Sequence, residues 1–189
     1  MRPMKLDYHV RKAQVADARP LAVLALQVFL LTYATDGVSS TISEYVLQEI
    51  TPEKYAAIIQ SSSSVVLVAE RDKLLLGFAV LQLNAPCADS PDATIELETL
   101  YVQEHFTGKG IGSTLLGESH RLSQMSANGR LWLTVNVKNV RAVSFYVRHQ
   151  YMKVGIHVFV LGGVGHDNHV MLSPPIQRPP DKREQLSNK

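Results

Sequence analysis

A glycine-rich turn at residues 107–113 separates a strand pattern from a helix pattern. The turn is Thr-Gly-Lys-Gly-Ile-Gly-Ser, and its glycines let the backbone approach an anion without a Cβ in the way. The first N–H groups of a helix lack intrahelical acceptors and lie at the positive end of the helix dipole, where phosphate binds well. The sequence therefore predicts a phosphate site at the start of this helix.

Two familiar phosphate-binding loops do not fit this turn. A P-loop requires Ser or Thr where Gly110 stands, and its first glycine where Gln103 stands. The dinucleotide fingerprint Gly-x-Gly-x-x-Gly also fails, because its last position is not glycine whether the pattern begins at Gly108 or at Gly110. Neither motif therefore describes this turn, which is either a site for another phosphate compound or simply a tight connection between strand and helix.

Two carboxylates precede the turn on one predicted strand, residues 95–102. The alternation places Ile95, Leu97, Thr99 and Tyr101 on one face and Glu96, Glu98, Leu100 and Val102 on the other. Paired carboxylates are able to accept a proton, directly or through a water, and to attract a cation. A solvated strand face carries acids at the same spacing, so both interpretations stay open.

The strand, turn and helix together resemble the acetyl-CoA-binding motif of the GNAT superfamily of N-acetyltransferases, Arg/Gln-x-x-Gly-x-Gly/Ala. In this chain the motif falls on Thr107, Gly110 and Gly112. Thr107 stands where Arg or Gln is usual, which implies a weaker or backbone-only contact with the pyrophosphate. Residues 139–146, Asn-x-x-Ala-x-x-Phe-Tyr directly after a strand, resemble the second hallmark of the family. The two hallmarks occur in the family's order.

The resemblance implies transfer of an acetyl group from acetyl-CoA, as cosubstrate, to an amine. The amine must lose a proton, since a free alkylamine has a pKa of ~10.4. The developing oxyanion must be stabilised, and the leaving thiolate is helped by a proton. The resemblance places the hydroxyl of Tyr146 near the thioester sulfur as the acid, although a buried aromatic residue would occupy the same helical face. Glu98 and Glu96 are equal candidates for the base.

The resemblance also predicts the cofactor contacts. The backbone of residues 100–102 is expected to bind the pantetheine arm like an added strand, beside a bulge that frees an N–H for the oxyanion. Asn139 is expected to meet the cofactor, to cap its helix, or to do both. Lys109 either approaches phosphate or is solvated. The predicted cofactor-binding residues are Leu100, Tyr101, Val102, Thr107, Gly108, Lys109, Gly110, Ile111, Gly112, Ser113 and Asn139.

Residues 6–173 are predicted to form one N-acetyltransferase domain, followed by a loose, proline-containing tail at 174–189. The fold class implied is α/β (α+β), the GNAT fold. Its central sheet is mixed, mostly antiparallel and splayed at its middle strands, with helices on both faces, in the order β-α-α-β-β-β-α-β-α-β-β. Asp17 is predicted to cap the first helix, whose apolar stripe is Leu21, Leu24, Ala25, Val28 and Leu31.

The composition limits the partners and the cellular compartment that are expected for this protein. Apolar residues make up 46% of the chain and charged residues 19%, and a net charge of +2 is too small to argue for a nucleic-acid partner. A single cysteine, Cys87, fits a reducing cytosol. The apolar run at 20–31 is too short to cross a membrane and predicts a buried helix. His166 and His169 lack an obvious third ligand, so we predict no metal. We expect a cytoplasmic enzyme without a membrane partner, and the resemblance is compatible with a homodimer.

The acceptor is suggested by a weaker resemblance. Residues 29–59 are similar to polyamine (spermidine/spermine-type) acetyltransferases, which carry a comparable Thr-Tyr loop and paired helices. A polycation requires clustered carboxylates, and this segment offers Asp36, Glu44, Glu49 and Glu53. Two alternatives stay open: an acceptor that is a protein or peptide amine, and a non-catalytic acyl-CoA-binding regulatory module on the same fold.

Overall fold

A seven-stranded sheet organises the chain, in a computed structural model that describes residues 6–125 and 130–175. The strands lie in the order β1-β2-β3-β4-β5-β7-β6, and only the β4–β5 pair is parallel. This confirms the predicted mixed, mostly antiparallel sheet. The strands are β1 (His9–Lys12), β2 (Ser64–Arg71), β3 (Leu74–Leu83), β4 (Ile95–Val102), β5 (Leu131–Asn136), β6 (Met152–Leu161) and β7 (Val164–Leu172).

Three helices lie between β1 and β2: α1 (Ala18–Tyr33), α2 (Ser40–Glu49) and α3 (Pro52–Gln60). The predicted order has two there. Ser39 and Thr51 make α2 and α3 separate helices, because each side chain accepts a hydrogen bond from a backbone N–H in the first turn that follows. After the central strands come α4 (Ile111–Gln124) and α5 (Val140–Arg148).

Helices cover both faces of the sheet, as predicted. Leu21 and Ala25 of α1 and Tyr55 of α3 pack with Phe78 of β3 on one face. On the other face α4 and α5 pack against the sheet through Ile111, Leu115, Leu116 and Tyr146. The two helical layers hold β3 and β4 at the centre of the molecule.

The start of α1 differs from the prediction. Asp17 does not cap α1 with its side chain. Its carboxylate accepts a hydrogen bond from the backbone N–H of Gln14 (2.7 Å) and pairs with Arg11 (2.7 Å). The far end of the predicted stripe is also wrong, because Leu31 is exposed while Phe29 is buried.

Helix α1 with its preceding turn, Val15–Tyr33, is 19 residues long and apolar enough, by length and composition, to cross a membrane. In this structure its inner face packs on β2 and β3 through Leu21, Ala22 and Ala25. We therefore describe it as a core helix, as the sequence analysis expected. The cytoplasmic location and the homodimer stay predictions, and residues 176–189 of the predicted tail lie outside the described residues.

Strand β4 contains the predicted bulge. Thr99 pairs with Val80 and Leu97 pairs with Leu81, so Glu98 is an extra residue without a partner on β3. One extra residue reverses the faces of the side chains that follow it. Leu100 and Val102 consequently pack on the α4 side, and Tyr101 packs on the α1 side. The prediction that residues 95, 97, 99 and 101 share one face is therefore wrong beyond Glu98.

Strands β4 and β5, in the middle of the sheet, separate after two paired positions. Strands β4 and β5 are paired only at Ile95–Leu131 and Glu96–Trp132. Beyond Glu96 the edge of β4 that faces β5 has no strand partner within 6–125 and 130–175. This confirms the splayed sheet, and it leaves a cleft at the carboxyl ends of two parallel strands, where α/β proteins commonly bind ligands.

Candidate active site

A cavity of about 1000 Å³ occupies this cleft. It is bordered by β4 and the loop into α4 on one side, and by β5 and the start of α5 on the other. Twelve of the predicted site residues line it together, although they come from three separate segments of the chain. They are Glu96, Glu98, Leu100, Tyr101, Val102, Thr107, Gly108, Gly110, Gly112, Ser113, Asn139 and Tyr146.

The glycine turn presents free backbone donors to the cavity. Gly110 is the residue before α4 and has φ +87°, a left-handed conformation that favours glycine. The N–H of Thr114 donates to the carbonyl of Gly110 at 3.0 Å. The three N–H groups before Thr114 therefore have no acceptor inside the helix, as the anion site requires.

Two predicted residues are not among those lining the cavity. The ammonium of Lys109 lies 5.0 Å from the centre of the Phe106 ring. The side chain of Ile111 is buried in the core, so only its backbone N–H is available to a ligand. For Lys109 the structure favours contact with an aromatic ring over contact with a phosphate.

The free edge of β4 has the geometry that an extended ligand needs. Residues 100–102 line the cavity while the side chains of Leu100 and Val102 pack into the core. Gly77 of β3 allows this segment and α4 to lie close to β3, because a Cβ there would lie 2.7 Å from the carbonyl oxygen of Tyr101 and 3.3 Å from the side chain of Ile111. The backbone at this edge is thus fixed by the sheet, as the pantetheine interpretation needs.

Helix α5 contributes two predicted residues. The side-chain oxygen of Asn139 accepts a hydrogen bond from the backbone N–H of Ala142 at 3.0 Å, so Asn139 caps α5 and also lines the cavity. Tyr146 is 7% exposed, and its ring lies 5.2 Å from that of Phe145 and 5.5 Å from that of Tyr151. Burial raises the pKa of Tyr146 and so keeps its hydroxyl protonated.

The two carboxylates of β4 differ in environment. Glu96 is half-buried, and burial, with a smaller contribution from the negative charge of Glu98, raises its pKa to about 7. Glu98 is exposed and accepts a hydrogen bond from the Nε2 amide of Gln82 at 2.6 Å. The hydroxyl of Ser64 donates to the other end of Gln82 at 3.0 Å. Glu98 is thereby held in place, while Glu96 is poised to exchange a proton near neutral pH.

The end of the cavity near α1 and α2 is aromatic. The rings of Phe29 and Tyr33 are 4.5 Å apart, those of Phe29 and Tyr45 are 4.9 Å apart, and Phe159 of β6 lies beside both tyrosines. We call Phe29, Tyr33, Tyr45 and Phe159 the aromatic end; all four line the cavity. It lies in the same cavity as the carboxylates.

The acids predicted for the acceptor segment separate into two groups. Glu49 lines the cavity and pairs with Lys54, which also lines it. Asp36, Glu44 and Glu53 are not among the lining residues. The expectation that this segment supplies clustered acids to an acceptor is therefore wrong for those three.

Sequence reasoning missed several lining residues. Asn136 and Asn168 line the cavity and pair with each other across β5 and β7. Arg141 lies within the second hallmark, at a position the motif leaves free, and its guanidinium binds the carboxylate of Glu104 with two hydrogen bonds of 2.8 Å. The sequence signal for this residue was a cationic side chain between Asn139 and Ala142 of the cofactor motif.

The cleft in a splayed sheet, the glycine-rich start of α4 and the second hallmark on α5 together define an acetyl-CoA-dependent N-acetyltransferase. Residues 35–151 match the acetyltransferase (GNAT) family, and the chain belongs to this family. This confirms the enzyme class and acetyl-CoA as cosubstrate.

Related proteins and a solved structure support the same family. An uncharacterized N-acetyltransferase of Mycobacterium bovis is 27% identical over 161 residues, which cover 84% of this chain and 97% of that protein. A spermidine N(1)-acetyltransferase of Thermoplasma acidophilum is 27% identical over 150 residues, which cover 77% and 89%. The crystal structure of PaiA N-acetyltransferase from Thermoplasma acidophilum in complex with coenzyme A is similar with a TM-score of 0.69 and 25% identity, covering 89% of this chain and 99% of that one.

Proposed function

We propose that the protein transfers the acetyl group of acetyl-CoA to a primary amine of a polyamine such as spermidine. The observation that carries this proposal is the position of Glu96 and Glu98, which lie in one cavity with the free edge of β4 and with the aromatic end. The similarity to a spermidine N(1)-acetyltransferase supports the same acceptor class.

The cofactor is assigned to the cleft between β4 and β5. The unpaired N–H groups at the start of α4 bind the pyrophosphate, and the edge of β4 at residues 100–102 binds the pantetheine arm. Asn139, which already caps α5, contacts the cofactor from the opposite side of the cleft. The thioester then points along the cleft toward Tyr146 and the carboxylates.

The reaction needs a base for the substrate ammonium and an acid for the leaving thiolate. Glu96, as the base, takes a proton from the substrate ammonium, and the neutral amine attacks the thioester carbonyl. The oxyanion accepts a hydrogen bond from a backbone N–H beside the bulge at Glu98. The C–S bond then breaks, and the thiolate takes the proton of the Tyr146 hydroxyl. The nitrogen of the new amide gives its remaining extra proton to the tyrosinate, directly or through a water, and Glu96 releases its own proton to solvent. The products are the N-acetylated amine and coenzyme A.

The remaining charges of a polyamine fit the rest of the cavity. Glu98 attracts the cation and is fixed by Gln82. The aromatic end adds aromatic rings to the wall of the cavity, and an ammonium group over the face of such a ring gains about 0.5–2 kcal/mol. Glu49 contributes less, since Lys54 already pairs with it.

The base assignment makes a prediction about pH. We expect kcat/KM for the amine to rise with pH through an inflection near pH 7, because Glu96 must be deprotonated to accept a proton. The alkylamine adds no inflection there, since its own pKa is ~10.4. Glu96→Gln should remove the inflection, and Glu98→Gln should move it to lower pH, because the repulsion that raises the pKa of Glu96 is gone. An inflection that persists in Glu96→Gln would assign it to another group.

The acceptor assignment predicts a preference that depends on charge. We expect kcat/KM to be higher for spermidine than for a monoamine, and to fall as salt rises, because exposed charge attraction is screened over ~10 Å at 0.1 M. Glu98→Gln should raise KM for spermidine more than for the monoamine. Glu44→Gln is the matched control, because Glu44 is exposed and not among the lining residues.

Other results of assays with monoamines, polyamines and peptide amines would support a different function. Equal activity on monoamines and polyamines without salt dependence would contradict the polyamine assignment. A preference for peptide amines would favour a protein acceptor. Release of coenzyme A that stays slow with every amine tested would favour a non-catalytic acyl-CoA-binding module.

A further inference from the structure

The glycine turn lacks the cationic or amide side chain that its motif usually supplies. Thr107 stands at that position, and its hydroxyl donates a 2.9 Å hydrogen bond to the carbonyl of Glu104. The backbone N–H of Thr107 donates to the same carbonyl at 3.1 Å. The hydroxyl and the N–H of Thr107 are thus both bonded within its own loop. No charged side chain at this position is available to bind a pyrophosphate at the start of α4.

The guanidinium of Arg141, on the other side of the cleft, contacts Glu104, three residues before Thr107. Nη1 and Nη2 of Arg141 each donate a 2.8 Å hydrogen bond to Glu104, the residue whose carbonyl holds Thr107. Arg141 lies in the first turn of α5, after β5, and Glu104 follows β4, so this ion pair joins the segments that follow the two separating strands. Arg141, Thr107, Gly108 and Gly110 all line the same cavity.

We propose that Arg141 is the pyrophosphate-binding side chain of this enzyme and replaces the one missing at Thr107. The inference rests on the proposed placement of the pyrophosphate at the start of α4. A guanidinium has five N–H donors, and the fork to Glu104 uses two of them, so three can reach a phosphate. Glu104 acts as a positioning residue, because its two hydrogen bonds fix the plane of the guanidinium before the cofactor arrives.

The test uses three acetyl donors. Arg141→Ala is expected to raise KM for acetyl-CoA about ten- to a hundredfold, the usual effect of losing hydrogen bonds from a charged group. The same rise is expected with 3′-dephospho-acetyl-CoA, which keeps the pyrophosphate. No rise is expected with S-acetylpantetheine, which has none. Calorimetric titration with coenzyme A should show the same loss of affinity.

Two further variants separate a direct contact from a structural effect. Thr107→Arg in the Arg141→Ala background should restore most of the affinity, because it returns a guanidinium to the loop itself. Arg121→Ala is the control, since Arg121 pairs with Glu118 on α4 and is not among the lining residues. It should leave all three KM values unchanged.

Several results would overturn the inference. An unchanged KM for acetyl-CoA in a folded Arg141→Ala protein would show that Arg141 does not bind the cofactor. A rise that disappears with 3′-dephospho-acetyl-CoA would place Arg141 at the 3′-phosphate, and a rise that persists with S-acetylpantetheine would show a structural effect. If Gly112→Glu abolishes coenzyme A binding and Arg141→Ala does not, this inference fails alone; if neither affects binding, the pyrophosphate placement fails as well.

Discussion

Replacing Tyr146 with Phe is expected to lower kcat by ~10²–10⁴ while KM for acetyl-CoA changes little. The substitution keeps the ring, which packs against Phe145 and Tyr151, and removes only the hydroxyl. Because burial raises the pKa of Tyr146, the hydroxyl stays protonated and is available as an acid throughout the working pH range. Single-turnover measurement of coenzyme A release reports this step directly.

The control for this experiment is Tyr151→Phe. Tyr151 is also buried, and its hydroxyl is hydrogen-bonded to Nε2 of His120 at 3.2 Å, but it is not among the residues that line the cavity. Losing that hydrogen bond should cost about 0.5–1.5 kcal/mol of stability and leave kcat unchanged. If Tyr146→Phe behaved in the same way, with lower stability and unchanged kcat, Tyr146 would be a core aromatic residue and the acid would lie elsewhere.

The sequence predicted the parts of the site that depend on local chain geometry. The turn at residues 107–113 needs glycine for its own backbone conformation, and the Gly110 φ of +87° shows why the pattern was informative. Strand β4 was predicted at its observed bounds, residues 95–102, because its apolar and polar residues alternate. Patterns of this kind can be recognised in a single sequence because they depend only on neighbouring residues.

The bulge at Glu98 could not be derived from the residues alone. A bulge is a shift of register between two strands, so it depends on how β3 pairs with β4. The alternation of β4 is undisturbed in the sequence, although the structure reverses its faces after Glu98. Only the family resemblance indicated the bulge.

The acceptor end of the cavity also depends on contacts between distant segments. Tyr33 and Tyr45 are close to Phe159, which follows them by more than a hundred residues, and no local pattern links the three. For Asp17 a local pattern was present but misleading. Aspartate commonly caps helices, yet here its side chain pairs with Arg11 instead. In both cases a tertiary contact, and not local propensity, decides the role of the side chain.

Gly112→Glu is expected to abolish measurable binding of acetyl-CoA while the protein stays folded. A Cβ at Gly112 would lie 3.5 Å from the Phe145 ring and 3.7 Å from Val102, which are ordinary contacts, so the fold accepts a side chain there. The rest of a glutamate would extend from the first turn of α4, with its negative charge where the pyrophosphate is proposed to lie. Like charges in contact cost several kcal/mol, and ~2.7 kcal/mol already corresponds to a hundredfold in Kd.

Two substitutions on the same helix make this result specific. Gly112→Ala adds only the Cβ and should change Kd by a few-fold at most. Gly117→Glu adds the same charge at an exposed position with no atom within 4 Å of the new Cβ, and should bind acetyl-CoA like the parent. Gly110→Glu is less informative, because a side chain at φ +87° strains the backbone whether or not a ligand is present. Calorimetric titration with coenzyme A, with a melting curve for each variant, measures the effect; a folded Gly112→Glu protein with the Kd of the parent would show that the pyrophosphate does not bind at the start of α4.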